Sequence, residues 1–584
     1  RAGVKVDGTL EINGMAFNQS AMTVSNTLNK YSEIKSEGVI VNGSLNNDGE
    51  RGGTITVSDG SALTVKAGGA LFLKADNNNA LGVSGTITNK GSVIYDNAAD
   101  APSVSGAQAA AFIWEIDSVK DNGTYVFYPN EGDGTALTLL NGNSGTTGWS
   151  GVTLLSFGRT TLKNNANNVY YSFTNVNLGG SASGDFTQGA NELIFDGGAK
   201  WTQGDSSDGY DLHFLVGSDS STRVEYYNDG RYSDSALVTV NAGATLNIYG
   251  GVKITHHETR AGNGVGGGVS VKSSVKSHDS WGSTYIDSIT RANLNMYGGE
   301  ISYNAVTQCK NNGAGAGVYG YFAEINIAGG KITRNANATY SDGSADGAGL
   351  ALDASSLTMS GGEISWNCGA VGGTDAGADG GGIIARSEDD NPADAENAST
   401  LTASSVTLSG GSISNNWTGG FGGGILLWQS HLTMTGGEIA ENGASFGGGI
   451  GMTSGKRHTG DDSTSKAGYA RISGGTISGN YAFYNKWNTQ KPQGGYGGGI
   501  CVGSNINEGD NYKLYSFVEF SGEALVADNR AIYGGGLAVY TKNDPNYNKI
   551  IMTGGTVTGN SVEGGNAENG NGVYVYCVSN TFTQ

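Results

Sequence analysis

Asp346 and Asp379 are the residues whose type and spacing come nearest to a reactive pair. Each stands four residues before the end of a glycine-rich phrase, in DGAGL (346–350) and DGGGI (379–383). Residues at one offset in successive repeats would stack ~4.8 Å apart if the repeats pair as parallel strands. Two carboxylates that close repel unless they are solvated or share a cation such as Ca²⁺. Asp342 and Asp375 fall in the same segments. No lysine or arginine recurs at a fixed offset from the pair, so the base that proton abstraction or two-carboxylate hydrolysis would need is not evident. No catalytic residue is assigned. Solvated corner aspartates and a Ca²⁺ site are the two alternatives, and no other cofactor is indicated.

Other reactive types are sparse. His256–His257 is the one adjacent histidine pair, read either as a substituted corner or as metal ligands. Cys309, Cys368, Cys501 and Cys577 form no CxxC pair, which speaks against a zinc site and predicts free, partly buried thiols. Trp417, Trp428, Tyr484, Trp487 and Tyr512 lie in or beside segments between repeats. There they either stack on sugar rings and anchor a protein partner, or pack the segment against its own repeat.

The elements that position these residues come from a repeat. A first phrase recurs as LNIYGGVKITHH (246–257), LNMYGGEISYN (294–304), INIAGGKITRN (325–335), LTMSGGEISWN (357–367), VTLSGGSISNN (406–416), LTMTGGEIAEN (432–442), ARISGGTISGN (470–480), the degenerate VEFSGEALVADN (518–529) and IIMTGGTVTGN (550–560). A second glycine cluster follows each, as in GGGV (266–269), GGGI (422–425) and GNGV (570–573). The shortest period, Gly410 to Gly436, is 26 residues. It holds three short period-two stretches and no helical periodicity, which predicts three strands per coil of a parallel β-helix. Longer periods place their extra residues after the asparagine or after the second glycine cluster, at coil corners.

Two columns follow from the alignment. Asn304, Asn335, Asn367, Asn416, Asn442, Asn480, Asn529 and Asn560 share one corner, with His257 at this place in the first coil. Asparagine tolerates the left-handed conformation there, and its amide can bond its neighbours above and below. Phe421, Phe446, Tyr496 and Tyr533 occupy the Asp346/Asp379 position in four successive repeats and predict an offset-stacked aromatic ladder. Lys253, Glu300, Lys331 and Glu363 alternate in sign just before the inward isoleucine or valine. Gly436 and Gly437 are expected to turn a corner through positive φ or close packing.

The bulk composition agrees with a repeat. The chain has 584 residues, 100 of them glycine, without a three-residue period, and 37 % apolar residues, so it is neither collagen nor a disordered chain. Single cores stop growing near ~250–300 residues, a limit a one-dimensional array escapes. A net charge of −20 with no basic stripe argues against nucleic acid. No apolar run approaches the ~18 residues that a helical membrane span needs.

The GGGI and ISxN phrases resemble the GGA(I/L/V) and FxxN repeats of the polymorphic membrane proteins of chlamydiae, over about residues 245–584. Isoleucine or valine stands where that family has phenylalanine. The resemblance implies a β-helical autotransporter passenger acting as an adhesin.

The expectation is therefore all-β: a right-handed parallel β-helix with corner-loop insertions. Residues 1–104 are read as N-terminal coils or a cap, 105–240 as an irregular β-rich region and 241–584 as the regular helix. The expected role is a bacterial adhesin, extracellular or on the cell surface, binding a glycan or a host or neighbour-cell protein through corner loops, without membrane insertion of this segment. A self-associating surface-layer or filament subunit is the alternative, and a polysaccharide lyase or glycoside hydrolase the third.

Overall fold

The computed structural model describes residues 4–6, 10–12, 15–18, 21–24, 39–41, 44–48, 53–67, 69–74, 81–96, 104–128, 137–141, 145–179, 191–203, 212–215, 223–228, 230–260, 266–280, 283–307, 315–337, 346–369, 379–387, 403–453, 468–484, 494–503, 516–541, 548–563 and 569–577. Among them the chain is all-β, with a short 3-10 turn at Ile116–Ser118 and long sheets of parallel strands.

The repeat fixes the pairing. Ser405–Leu408 pairs with Ser356–Met359 on one side and His431–Met434 on the other. Ser412–Ser414 lies between Glu363–Ser365 and Glu438–Ala440. Ile425–Trp428 lies between Ile383–Arg386 and Ile450–Thr453. Each strand thus bonds its equivalents one repeat before and one repeat after. Alternation then decides what is inside: Leu432 and Met434 are buried while Thr433 faces out, because successive side chains of a strand point to opposite faces.

One apolar cluster runs from Ile113 to Leu537. The described strands between 113 and 240 therefore stack on the same core as the regular repeats. Thr153–Ser156, Arg159–Asn164 and Val169–Thr174 are parallel strands leading into it. Trp201–Gln203, Leu212–Leu215 and Arg223–Asn228 form a small antiparallel sheet inserted among them. A second cluster spans Ile12 to Val104, joined to the first through the successive strands Ala70–Lys74, Ser92–Asp96, Gln108–Ile113 and Thr124–Phe127.

The corners differ from the expectation in one respect. The left-handed residue is the one before the ladder asparagine: His256, Tyr303, Arg334, Trp366, Asn415, Glu441 and Asp528 all have φ between 52° and 57°. That residue reverses the chain, which frees the asparagine to turn its amide inward. At the other corner Gly437 has φ of 79°, a conformation costly for a residue with a Cβ. Gly449 is needed for space instead, since a Cβ there would lie 2.6 Å from Gly499 O.

Lys253, Glu300, Lys331, Glu363 and Ser412 are adjacent in register. Lys253 pairs with Glu192 at 2.7 Å and Lys331 with Glu363 at 3.0 Å. Glu300 has no ion-pair partner among the described residues. Exposed pairs of this kind contribute about 0–1 kcal/mol each, so they act on register more than on stability.

Candidate functional site

Asp346 and Asp379 lie in one continuous corner column with Phe421. The Asp379 backbone N–H donates to Asp346 Oδ1 at 3.3 Å, and the Phe421 N–H donates to Asp379 Oδ1 at 2.7 Å. Asp346 is only 2 % exposed, so it is not a solvated corner aspartate. Its other oxygen accepts from the Arg386 guanidinium at 3.1 Å. Arg386 also grips Asp353 in a bidentate pair of 2.7 and 3.0 Å, and the Tyr319 hydroxyl donates to Asp353 at 2.9 Å. The basic residue that showed no fixed offset from the aspartates is thus present. It comes from the neighbouring strand, where Asp353 and Arg386 are register partners. Aligning the repeats on the second glycine cluster brings these two together.

This donor set fits a guanidinium better than Ca²⁺, which takes 6–8 oxygen ligands. Both Asp346 oxygens and one Asp379 oxygen already accept N–H groups, and the guanidinium would repel a divalent cation. Among the described residues no group of three or more His, Cys, Asp or Glu is placed to hold a metal ion.

Burial raises the Asp346 carboxyl to about 6 against the partial opposition of Arg386. Burial, then the Asp346 charge, raises Asp379 well above the ordinary range. Both groups therefore keep a proton to higher pH when folded than when unfolded. The Asp346 contribution to stability is full below the usual carboxylate pKa of about 4 and is lost as pH rises through about 6; that of Asp379 falls in the same direction as pH rises. Asp379→Asn retains the acceptor for Phe421 without the charge. It should melt with the parent protein at pH 4 and no lower than the parent at pH 8; lower melting at pH 8 alone would mean that the charge itself is needed.

The asparagines form a buried chain of bonds. Asn304 Nδ2 donates to Asn335 Oδ1 at 3.1 Å, and the same bond recurs to Asn367, Asn416, Asn442, Asn480, Asn529 and Asn560 at 2.9–3.1 Å. Each Oδ1 also accepts the backbone N–H of the preceding ladder residue, beginning with His257 N–H to Asn304 at 3.2 Å. Each Nδ2 reaches back to a carbonyl of the previous repeat, as Asn442 does to Ile413 O at 2.8 Å. One side chain thus joins three repeats. His257 is fully buried and is lowered to about 4 by that burial, so it is neutral and its ring bonds Ser235 O at 2.9 Å.

Phe421, Phe446, Tyr496 and Tyr533 stack in sequence, with ring centroids 4.5, 5.8 and 4.8 Å apart and near-parallel planes. They cover the outer face of the adjoining sheet, packing with Leu426, Cys501 and Ala538.

The aromatics assigned to binding separate. Trp417 is 3 % exposed and is not a surface anchor. Its indole fills the space over Gly443 and stacks on Phe483 at 5.8 Å. The missing side chain at Gly443 is what lets the ring lie flat across a repeat. Trp428 is half-buried in the strand after Arg386. Tyr484 is 48 % exposed. Trp487 and Tyr512, like Asp342, Asp375 and Cys309, lie outside the described residues.

Cys368 and Cys501 are buried, and burial pushes the Cys501 thiol up to about 12. A thiolate is the reactive form. Residue-resolved alkylation at pH 8 should therefore leave both unmodified until the protein is denatured; labelling of Cys501 in native protein would contradict its burial. No protein-family model, no curated protein and no solved structure matches this chain.

Proposed function

We propose that the chain is a right-handed parallel β-helix and an adhesin-like protein of a bacterial surface, extracellular, which holds a glycan or a protein of a host or neighbouring cell. The observation that carries this reading is the division of labour within each repeat. Ladders of asparagine, aromatic and apolar side chains hold successive repeats in one register, while chain length varies only between the strands. A rigid scaffold bearing variable segments suits recognition. The engagement of Asp346 with Arg386 supports a structural use of that carboxylate over a catalytic one.

The test is binding of the purified protein to a panel of purified glycans and to intact cells. Saturable binding to either supports the reading. Absence of binding together with ordered self-assembly, seen by light scattering and negative-stain imaging, would overturn it in favour of a structural subunit.

A further inference from the structure

One face of the repeat is bounded by exposed rings on both sides. Tyr297 is 47 % exposed and stacks on Tyr249 at 5.0 Å. The residue at its position one repeat on is Ala328, too short to cover the second face of the Tyr297 ring. Across the strand lies the left-handed corner column. His256 stacks on Tyr303 at 5.2 Å, Arg334 lies 5.9 Å from the Tyr303 ring, and Trp366 is 37 % exposed. Trp366 has no ring or cation partner among the described residues. Between the rims, Lys253 and Lys331 pair with Glu192 and Glu363, and the Glu300 carboxylate at the centre has no ion-pair partner among the described residues.

The backbone adds an independent observation. A bulky residue in the left-handed region is strained. Four of the five later repeats fill this position with Asn415, Gly479, Asp528 and Gly559, types that suit it, and the fifth has Glu441. Four consecutive repeats instead place His256, Tyr303, Arg334 and Trp366 there, so on this face the turn alone does not account for the residue types. The Trp201 indole N–H donates to Tyr303 O at 2.9 Å and braces the turn that presents the ring.

We infer that this face, centred on Glu300 and rimmed by Tyr297, Tyr303 and Trp366, binds an uncharged extended polysaccharide segment. The inference rests on the glycan arm of the proposed function. Rings on either side of a hydrogen-bonding floor suit sugars, which present apolar C–H faces and hydroxyl edges. A protein partner would want a contiguous apolar patch, and here the rings are interrupted by charges. A carboxylate on a chain of net charge −20 disfavours a polyanion.

Calorimetric titration with neutral glucose, mannose and galactose oligosaccharides tests it, with oligogalacturonate and chitosan oligomers as charged probes. Saturable binding of a neutral oligosaccharide is expected. Tyr297→Ala and Trp366→Ala should each weaken it by roughly tenfold, equivalent to about 1.4 kcal/mol, and Glu300→Gln by a smaller factor. Tyr484→Ala should bind as the parent does. All four side chains reach solvent, and unchanged melting curves show that the variants fold. Neutral-glycan binding that is lost in Tyr484→Ala and kept in the face variants would overturn the site and leave the proposed function standing. Binding of only a charged oligosaccharide, or only of a protein partner, would overturn the ligand class in the same way. Absence of every kind of binding would overturn both.

Discussion

Arg386→Met should destabilise the protein by about 3–5 kcal/mol at pH 7, the usual result of removing one partner from a buried ion pair. Arg386 is the cation for both Asp346 and Asp353, and methionine keeps the volume of the stem without the charge. The aspartates then remain in a site that burial has already made costly for charge. The loss should be smaller at pH 4, where the carboxyls can take up protons, and largest at pH 7–8. Melting curves at the two pH values read the difference. Hydrogen exchange at the Gly347 and Gly380 amides, which pair with Asp379 O and Phe421 O, would locate it. Equal destabilisation at pH 4 and pH 8 would show that packing of the stem, not charge, is the contribution.

Asn442→Ala should cost about 3–5 kcal/mol, because it leaves several buried polar groups unpaired at about 1–3 kcal/mol each. The Asn416 N–H and Nδ2 lose their shared acceptor, at 2.9 and 3.0 Å, and Ile413 O loses its donor. All of these lie where water does not reach. Asn560→Ala should cost less, since Asn560 is only half-buried and water can replace part of its bonding. A stacked array depends on nearest-neighbour contacts, so the damage should centre on residues 410–453. Exchange protection lost there, with the strands at Thr153–Ser156 and Val169–Thr174 still protected, is the expected pattern. An unchanged melting curve would mean that the ladder contributes little to stability.

These two residues differ in how far the sequence disclosed them. The asparagine column, the aromatic column and the alternating charges are all in the primary repeat. In a stacked array the partner along the axis is the equivalent residue one repeat away, so spacing alone names it. The phrase TGGEIAENGASFGGGI announces a glycine turn, an inward isoleucine, a ladder asparagine and a stacked phenylalanine in one pass. The parallel strands of 241–584 follow from the same periodicity.

What the period does not contain is contact between residues at different offsets. Arg386 meets Asp346 because the corner folds back over the outer face of the adjoining sheet. Trp417 is buried because Gly443, one repeat on, leaves room for the indole to reach Phe483. The left-handed residue is the one before the asparagine because the amide must point inward for the ladder to close. The described strands between 113 and 240 share the apolar core of the regular repeats although their glycine phrase is irregular, since apolar alternation is enough to seat a strand on that core. The sequence by itself determined which residues stack on their own equivalents. Only the tertiary structure decided which columns touch one another, because those contacts depend on how each corner turns and on the space a neighbouring glycine leaves.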